Sequence, residues 1–148
     1  IAAPPPPGAS GTLRTFHGRH PTDRKKFSTR VNWGKSAVTH WERVDLEDHQ
    51  LAGAAVVKFR LETGRTHQIR VHAAEHGWPL LGDQLYGRRY TGELAELSRT
   101  LGRQALHAAR LELEHPITHA RLAFTTEPPA DFIALLTALR GLQTPDGR

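Results

Sequence analysis

Between Ala55 and Pro79 the chain changes its hydrophobic period once and is then cut short. Val57, Phe59 and Leu61 alternate with Lys58, Arg60 and Glu62, the two-residue repeat of a strand with one buried face. Gly64 breaks the alternation. Thr66 then stands where it can cap a helix from His67 to about His76, which Gly77 and Pro79 would end. A strand delivered through a tight turn into a short helix constrains its surroundings, because the strand needs partners and the helix needs a sheet to cover.

Those partners are visible on both sides. Ser36 to Val44 is a plausible strand, preceded by a turn at Asn32-Trp33-Gly34. His107 to Leu113 alternates again, with Arg110, Glu112 and Glu114 facing outward, and Leu122 and Phe124 mark a further strand. Phe132, Ile133, Leu135, Leu136 and Leu139 recur at helical spacing after Pro129. Strands outnumber helices, so the expected class is α+β: a mixed, mainly antiparallel sheet with two or more flanking helices. Pro4 to Pro7 make residues 1–10 an extended proline-rich linker or frayed end, residues 11–141 the domain, and 142–148 a tail.

At 148 residues the chain suits one compact domain. Cysteine is absent, which removes disulfides and thiolate metal sites. No apolar run reaches the roughly 18 residues of a spanning helix, and no signal peptide is evident, so no membrane partner is expected. Methionine is absent even at position 1, and the chain reads as a piece of a longer protein.

Charge is uneven. Between Gly11 and Arg43 there are eight basic residues (Arg14, Arg19, Arg24, Lys25, Lys26, Arg30, Lys35 and Arg43) against Asp23 and Glu42. From Glu93 onward acids slightly outnumber bases. A basic front half is the footprint of a polyanion-binding surface, and it is equally the look of an ordinary solvated face.

Gly64 to His72 (G-R-T-H-Q-I-R-V-H) concentrates the chemistry. A helix starting near Thr66 would set free N–H groups beside Arg65, His67 and Gln68, a site suited to a phosphate or carboxylate. Arg70, one turn along from His67, can deliver a guanidinium fork to an oxyanion. The plainer alternative is that Arg70 bridges a glutamate and the histidines bond within the core. His72-Ala73-Ala74-Glu75-His76 also fits H-x-x-E-H, a zinc-hydrolase signature. That short pattern lacks a third ligand segment, so no metal is expected.

These residues carry a resemblance. Leu61 to Gly87 resembles the third sequence block of the RluA-type pseudouridine synthases, above all the RluD-like enzymes of the ribosomal large subunit. The resemblance rests on G-R-T-H-Q-I-R-V-H followed by G-W-P-L-L-G-D-Q-L-Y-G. Gly18-Arg19-His20-Pro21 with Asp23-Arg24-Lys25 resembles the family's basic loop, and Lys35 to His40 the strand after it. Leu106-His107-Ala108, Leu111, His115-Pro116 and Pro129 to Phe132 resemble its terminal strands and helix. Coverage runs from about Gly11 to Leu139.

The resemblance implies a cofactor-free isomerisation of uridine in structured RNA, ribosomal more than transfer RNA, in the cytoplasm. The family's essential aspartate lies in a His-Arg-Leu-Asp block, and the arginine that pairs with it falls on Arg70. Arg19, His20, Arg24, Lys25, Lys26, Arg65, His67 and Gln68 would meet the RNA. Gly82-Asp83 and Tyr86-Gly87 read as a structural turn, with Asp83 capping amides. These residues contain no His-Arg-Leu-Asp block, and none of Asp23, Asp45, Asp48, Asp83, Asp131 or Asp146 stands in its setting. The family's pocket tyrosine has no match either. The chain is therefore expected to be the C-terminal part of a catalytic domain, inactive without its N-terminal remainder. The alternative class is an RNA-binding module that has lost catalysis, which the sequence encoded upstream of Ile1 would distinguish.

Overall fold

A computed structural model describes residues 1–44, 51 and 53–142. Four strands form one antiparallel sheet in the order β2-β1-β3-β4: β1 Ser10–Arg19, β2 Phe27–Ser28, β3 Lys35–Arg43 and β4 Val57–Leu61. Helix α1 spans Gln68–Glu75 and α2 spans Gly92–Leu101. A separate hairpin of β5 (Arg110–Glu114) and β6 (Arg121–Thr125) follows, and α3 (Ala130–Gly141) ends the described chain. The architecture is α+β, and every pairing among the described strands is antiparallel.

The longest strand, β1, has no apolar alternation to announce it. Its inward residues are Gly11, Leu13, Thr15 and His17, of which only Leu13 is aliphatic. Polar inward residues are accommodated because α1 presents polar partners to them. Thr15 Oγ1 lies 2.8 Å from Nε2 of His72, and His17 Nε2 donates to the Thr66 carbonyl at 2.9 Å. Helix α2 also goes beyond the sequence reading, although Leu94, Leu97 and Leu101 sit at helical spacing and pack on the core.

Two apolar clusters hold these layers. Between the sheet and α1, Trp41 and Trp78 meet with ring centres 5.3 Å apart, joined by Val57, Phe59, Ala73 and Leu80. Below it, Leu81, Ala105, Leu135 and Leu139 are buried with Ile1, Ala3 and Ala54, against Leu94, Leu97 and Leu101. Residues 1–3 are thus packed where a linker or frayed end is expected. Ala2 exchanges backbone hydrogen bonds with Ala55 at 2.9 Å, because small apolar residues fit between the two clusters.

The hairpin follows its pattern only halfway. Arg110, Glu112 and Glu114 face solvent, but the opposite face is open too: Leu111 is 57% and Phe124 55% exposed. Residues 143–148 of the expected tail lie outside the described residues. No described helix is long and apolar enough to cross a membrane.

Candidate functional site

The turn from β4 into α1 is tied by Gln68. Its Oε1 accepts from the Thr63 hydroxyl at 2.8 Å and the Arg65 amide at 2.9 Å. Its Nε2 donates to the Val38 carbonyl at 3.1 Å and Thr39 Oγ1 at 2.9 Å. Gln68 is buried, with both ends of its amide engaged, so it braces β3 against α1 instead of reaching for RNA. The helix cap is corrected as well. The residue before α1 is His67, in a left-handed conformation (φ 57°), and no side chain caps the helix. Thr66 contributes its carbonyl to His17.

One turn further, Arg70 meets Asp83. Nε donates to Oδ2 and Nη2 to Oδ1, both at 2.8 Å, a bidentate fork. Asp83 is almost wholly buried, its side chain only 1% exposed against 15% for Arg70. Its Oδ1 also accepts the amides of Leu85 and Tyr86 at 3.0 Å, the capping role read from the sequence. Burial pushes the Asp83 carboxyl up, but the guanidinium and the two amides outweigh it and leave it below its ordinary value. The Arg70 side chain is raised in turn, chiefly by the hydrogen bond with Asp83. Nη1 of Arg70 makes no hydrogen bond among the described residues and is not sealed from solvent. The plainer alternative of a glutamate partner is replaced by this aspartate.

The two glycines around Asp83 are fixed by close approach. A Cβ on Gly82 would lie 2.1 Å from the Arg103 carbonyl oxygen, and one on Gly87 2.0 Å from that of Asp83. The block G-D-Q-L-Y-G is therefore a closely packed turn beside Arg70.

Aromatic and imidazole groups wall the guanidinium. The Tyr86 ring centre lies 5.1 Å from Cζ of Arg70. Tyr86 Oη accepts the Phe27 amide at 2.9 Å and lies 3.0 Å from Nδ1 of His67, so the phenol can donate to a neutral imidazole. Burial first, and Arg70 second, keep His67 below its ordinary pKa. Behind them His17 stacks on Phe27, with its Nδ1 buried and unpartnered, and burial lowers its pKa too. Tyr86, expected only as part of a structural turn, is also a wall of the site, and its spacing from Asp83 is the available signal.

The zinc pattern dissolves in this geometry. Both nitrogens of His72 are spent on hydroxyls, Nδ1 on Thr39 at 2.7 Å and Nε2 on Thr15 at 2.8 Å. Burial lowers the His72 pKa to about 4. Glu75 accepts from Ser28 Oγ at 2.6 Å, the Thr29 amide at 2.9 Å and the Thr29 hydroxyl, which ties β2 to α1. Among the described residues no cluster of three or more candidate ligands occurs.

The remaining expected RNA contacts lie apart. Arg24 and Lys25 are exposed, and Lys26 is 3.8 Å from Asp23. The Arg19 guanidinium rests 4.6 Å over the Phe27 ring, which joins the basic loop to the wall of the site. His20 turns inward to its own loop, where Nδ1 accepts the Asp23 amide at 3.1 Å. Arg65 donates from Nε to the Ser36 carbonyl at 2.9 Å. Asp45, Asp48 and Asp146 lie outside the described residues.

The chain is similar to known proteins in both sequence and fold. The family described as RNA pseudouridylate synthase matches residues 4–75. The chain is 41% identical over 141 residues to ribosomal large subunit pseudouridine synthase D of Pseudomonas aeruginosa, covering 89% of this chain and 42% of that protein. The protein of the same name from Vibrio cholerae is 43% identical over 139 residues, covering 89% and 41%. Among solved structures, human RNA pseudouridylate synthase domain containing 1 aligns with a TM-score of 0.61 at 26% identity. That alignment covers 95% of this chain and 63% of the human one. The chain thus spans under half the length of the curated relatives it matches.

Proposed function

We propose that the chain, whose residues 4–75 match the RNA pseudouridylate synthase family, forms the Arg70-bearing part of an enzyme that converts uridine to pseudouridine in ribosomal RNA. The observation that carries this reading is the Arg70–Asp83 fork, which fixes the guanidinium and leaves Nη1 open.

The reaction is a redox-neutral isomerisation. The bond between N1 of the base and C1′ of the ribose breaks, the base turns, and C5 bonds to C1′. The C5 hydrogen leaves as a proton and N1 gains one, so no cofactor is called for. The uridine must first leave its stack, because its reacting atoms are shielded within folded RNA. The family's catalytic carboxylate would come from residues outside this chain and meet Nη1 of Arg70. An adjacent guanidinium keeps such a carboxylate ionised and aimed while a base is enclosed beside it. Asp83 acts as a positioning residue: it holds Nε and Nη2 so that only one direction is offered. Arg19, Arg24, Lys25 and Lys26 would meet phosphates, and such an enzyme works where ribosomal RNA is made, in the cytoplasm.

Tritium release from RNA labelled at C5 of uridine tests the division of labour. The 148-residue chain alone should release none, and a longer protein joining it to the aspartate block should release it steadily. Release by the chain alone would overturn the reading.

A further inference from the structure

On the face of the main sheet turned away from α1 Phe16 is exposed, and the turn that crosses this face carries a second exposed aromatic residue, Trp33, neither ring being covered by another among the described residues. Along β1, alternate residues point to opposite faces. Thr15 and His17 face α1, so Arg14, Phe16 and Gly18 share the other face. Phe16 is 57% exposed there, beside its register partner Ser36. The Asn32–Gly34 turn crosses the same face over Gly18, since a Cβ on Gly18 would meet the Trp33 carbonyl at 3.2 Å. Trp33 itself is 74% exposed, whereas Trp41 and Trp78 are buried against each other.

Cations frame these rings. Arg65 reaches from the Gly64–Gln68 turn to the Ser36 carbonyl using Nε alone, and forms no ion pair among the described residues. Arg14, two residues from Phe16, has only a 3.8 Å contact with Glu62, both side chains being well exposed, a pairing of little energetic weight. Arg30 is exposed on the segment leading into the Trp33 turn. Ser36 lies beside Phe16, and the aliphatic neighbours on this face are Val38, which is buried, and Val31 over Gly18. Exposed aromatic rings among guanidinium groups suit nucleobases better than an apolar protein surface. Bases stack on aromatic side chains, and the cations follow the phosphates.

We propose that Phe16 and Trp33, flanked by Arg14 and Arg65, form a stacking platform for an unpaired stretch of the RNA substrate on the sheet face opposite α1. The proposal rests on the RNA-modifying reading above and adds where a strand flanking the target uridine lies. Arg65 connects the two regions, because its own amide is fixed by Gln68 at the start of α1 while its guanidinium sits at Ser36.

The test uses labelled oligoadenylate, which is unpaired and offers no target uridine, with structured RNA measured alongside. Phe16→Ala with Trp33→Ala should weaken oligoadenylate binding by roughly tenfold or more while leaving its salt dependence unchanged. Phe16→Tyr with Trp33→Phe should restore it, and Phe16→Leu with Trp33→Leu should not, because stacking needs a ring. Unchanged thermal melting of these exposed-site variants confirms intact folding. Equal affinity for parent and alanine variant, or rescue by leucine, overturns the platform and leaves the enzyme reading standing. So does self-association that the substitutions abolish without affecting RNA, which would make this face a contact between copies. Failure of the parent to bind any RNA overturns both.

Discussion

Asp83 grips Arg70 through two parallel hydrogen bonds of 2.8 Å, and the same carboxylate accepts the amides of Leu85 and Tyr86. One buried acid therefore organises a turn and fixes the direction of the guanidinium. A lone arginine on a short helix would sample many rotamers. Held this way, it offers a single remaining nitrogen, Nη1.

Removing that acid should be costly. Asp83→Ala leaves a partly buried cation unpaired and two amides uncapped, and about 3–5 kcal/mol of stability should disappear in urea unfolding. Asp83→Asn keeps a capping oxygen and should cost less. A stable Asp83→Ala protein would mean that the fork is incidental.

Gln68 should behave as scaffold. Gln68→Leu deletes two hydrogen bonds to β3 and two within the β4–α1 turn, and strands the Thr63 hydroxyl and the Arg65 amide. A loss of at least about 2 kcal/mol is expected, with RNA affinity unchanged under conditions where the variant is folded. A selective loss of RNA affinity at full stability would return Gln68 to the binding surface.

Stability should fall as pH drops below neutrality. His72 is held neutral in the fold, with a pKa lowered from 6.5 to about 4. Unfolded chains take up the proton first, so stability is complete above about 6.5 and declines as pH falls toward 4, by up to roughly 3 kcal/mol. His17 and His67 are shifted in the same direction and add to the slope. Melting temperatures between pH 7 and 4.5 read the effect. His72→Gln should flatten the profile, and an unaltered slope would contradict the assignment.

The basic loop should act through charge. Neutralising Arg19, Arg24, Lys25 and Lys26 together should weaken RNA binding across sequences. It should also reduce the slope of log affinity against log salt, by somewhat under one for each phosphate that no longer meets a cation. Unchanged affinity would make the loop a solvated face.

What the sequence disclosed follows physical lines. β3, β4, β5, β6, α1 and α3 showed themselves through apolar period or punctuation, and Asp83 through its place in a glycine-bounded turn. β1 stayed hidden because its buried face is Thr15 and His17, residues that make sense only opposite His72 and Thr66. Gln68 looked like a ligand-binding group because a polar side chain beside arginines gives no sign of facing inward. The Arg70–Asp83 pair could not be read from spacing, since the partners stand 13 positions apart across a helix end and a reversal. Residues 1–3 looked like linker because four prolines follow them, whereas their burial depends on a gap between two distant clusters.

Arg70→Lys in a longer protein that carries the aspartate block is the decisive variant. Lysine keeps the charge and a contact to Asp83 but cannot grip it and present a further nitrogen to a second carboxylate at the same time. Tritium release should fall to background while RNA affinity stays within about twofold of the parent, a difference of roughly 0.4 kcal/mol. Release close to the parental rate would show that Arg70 is architecture and that the catalytic aspartate finds its partner elsewhere.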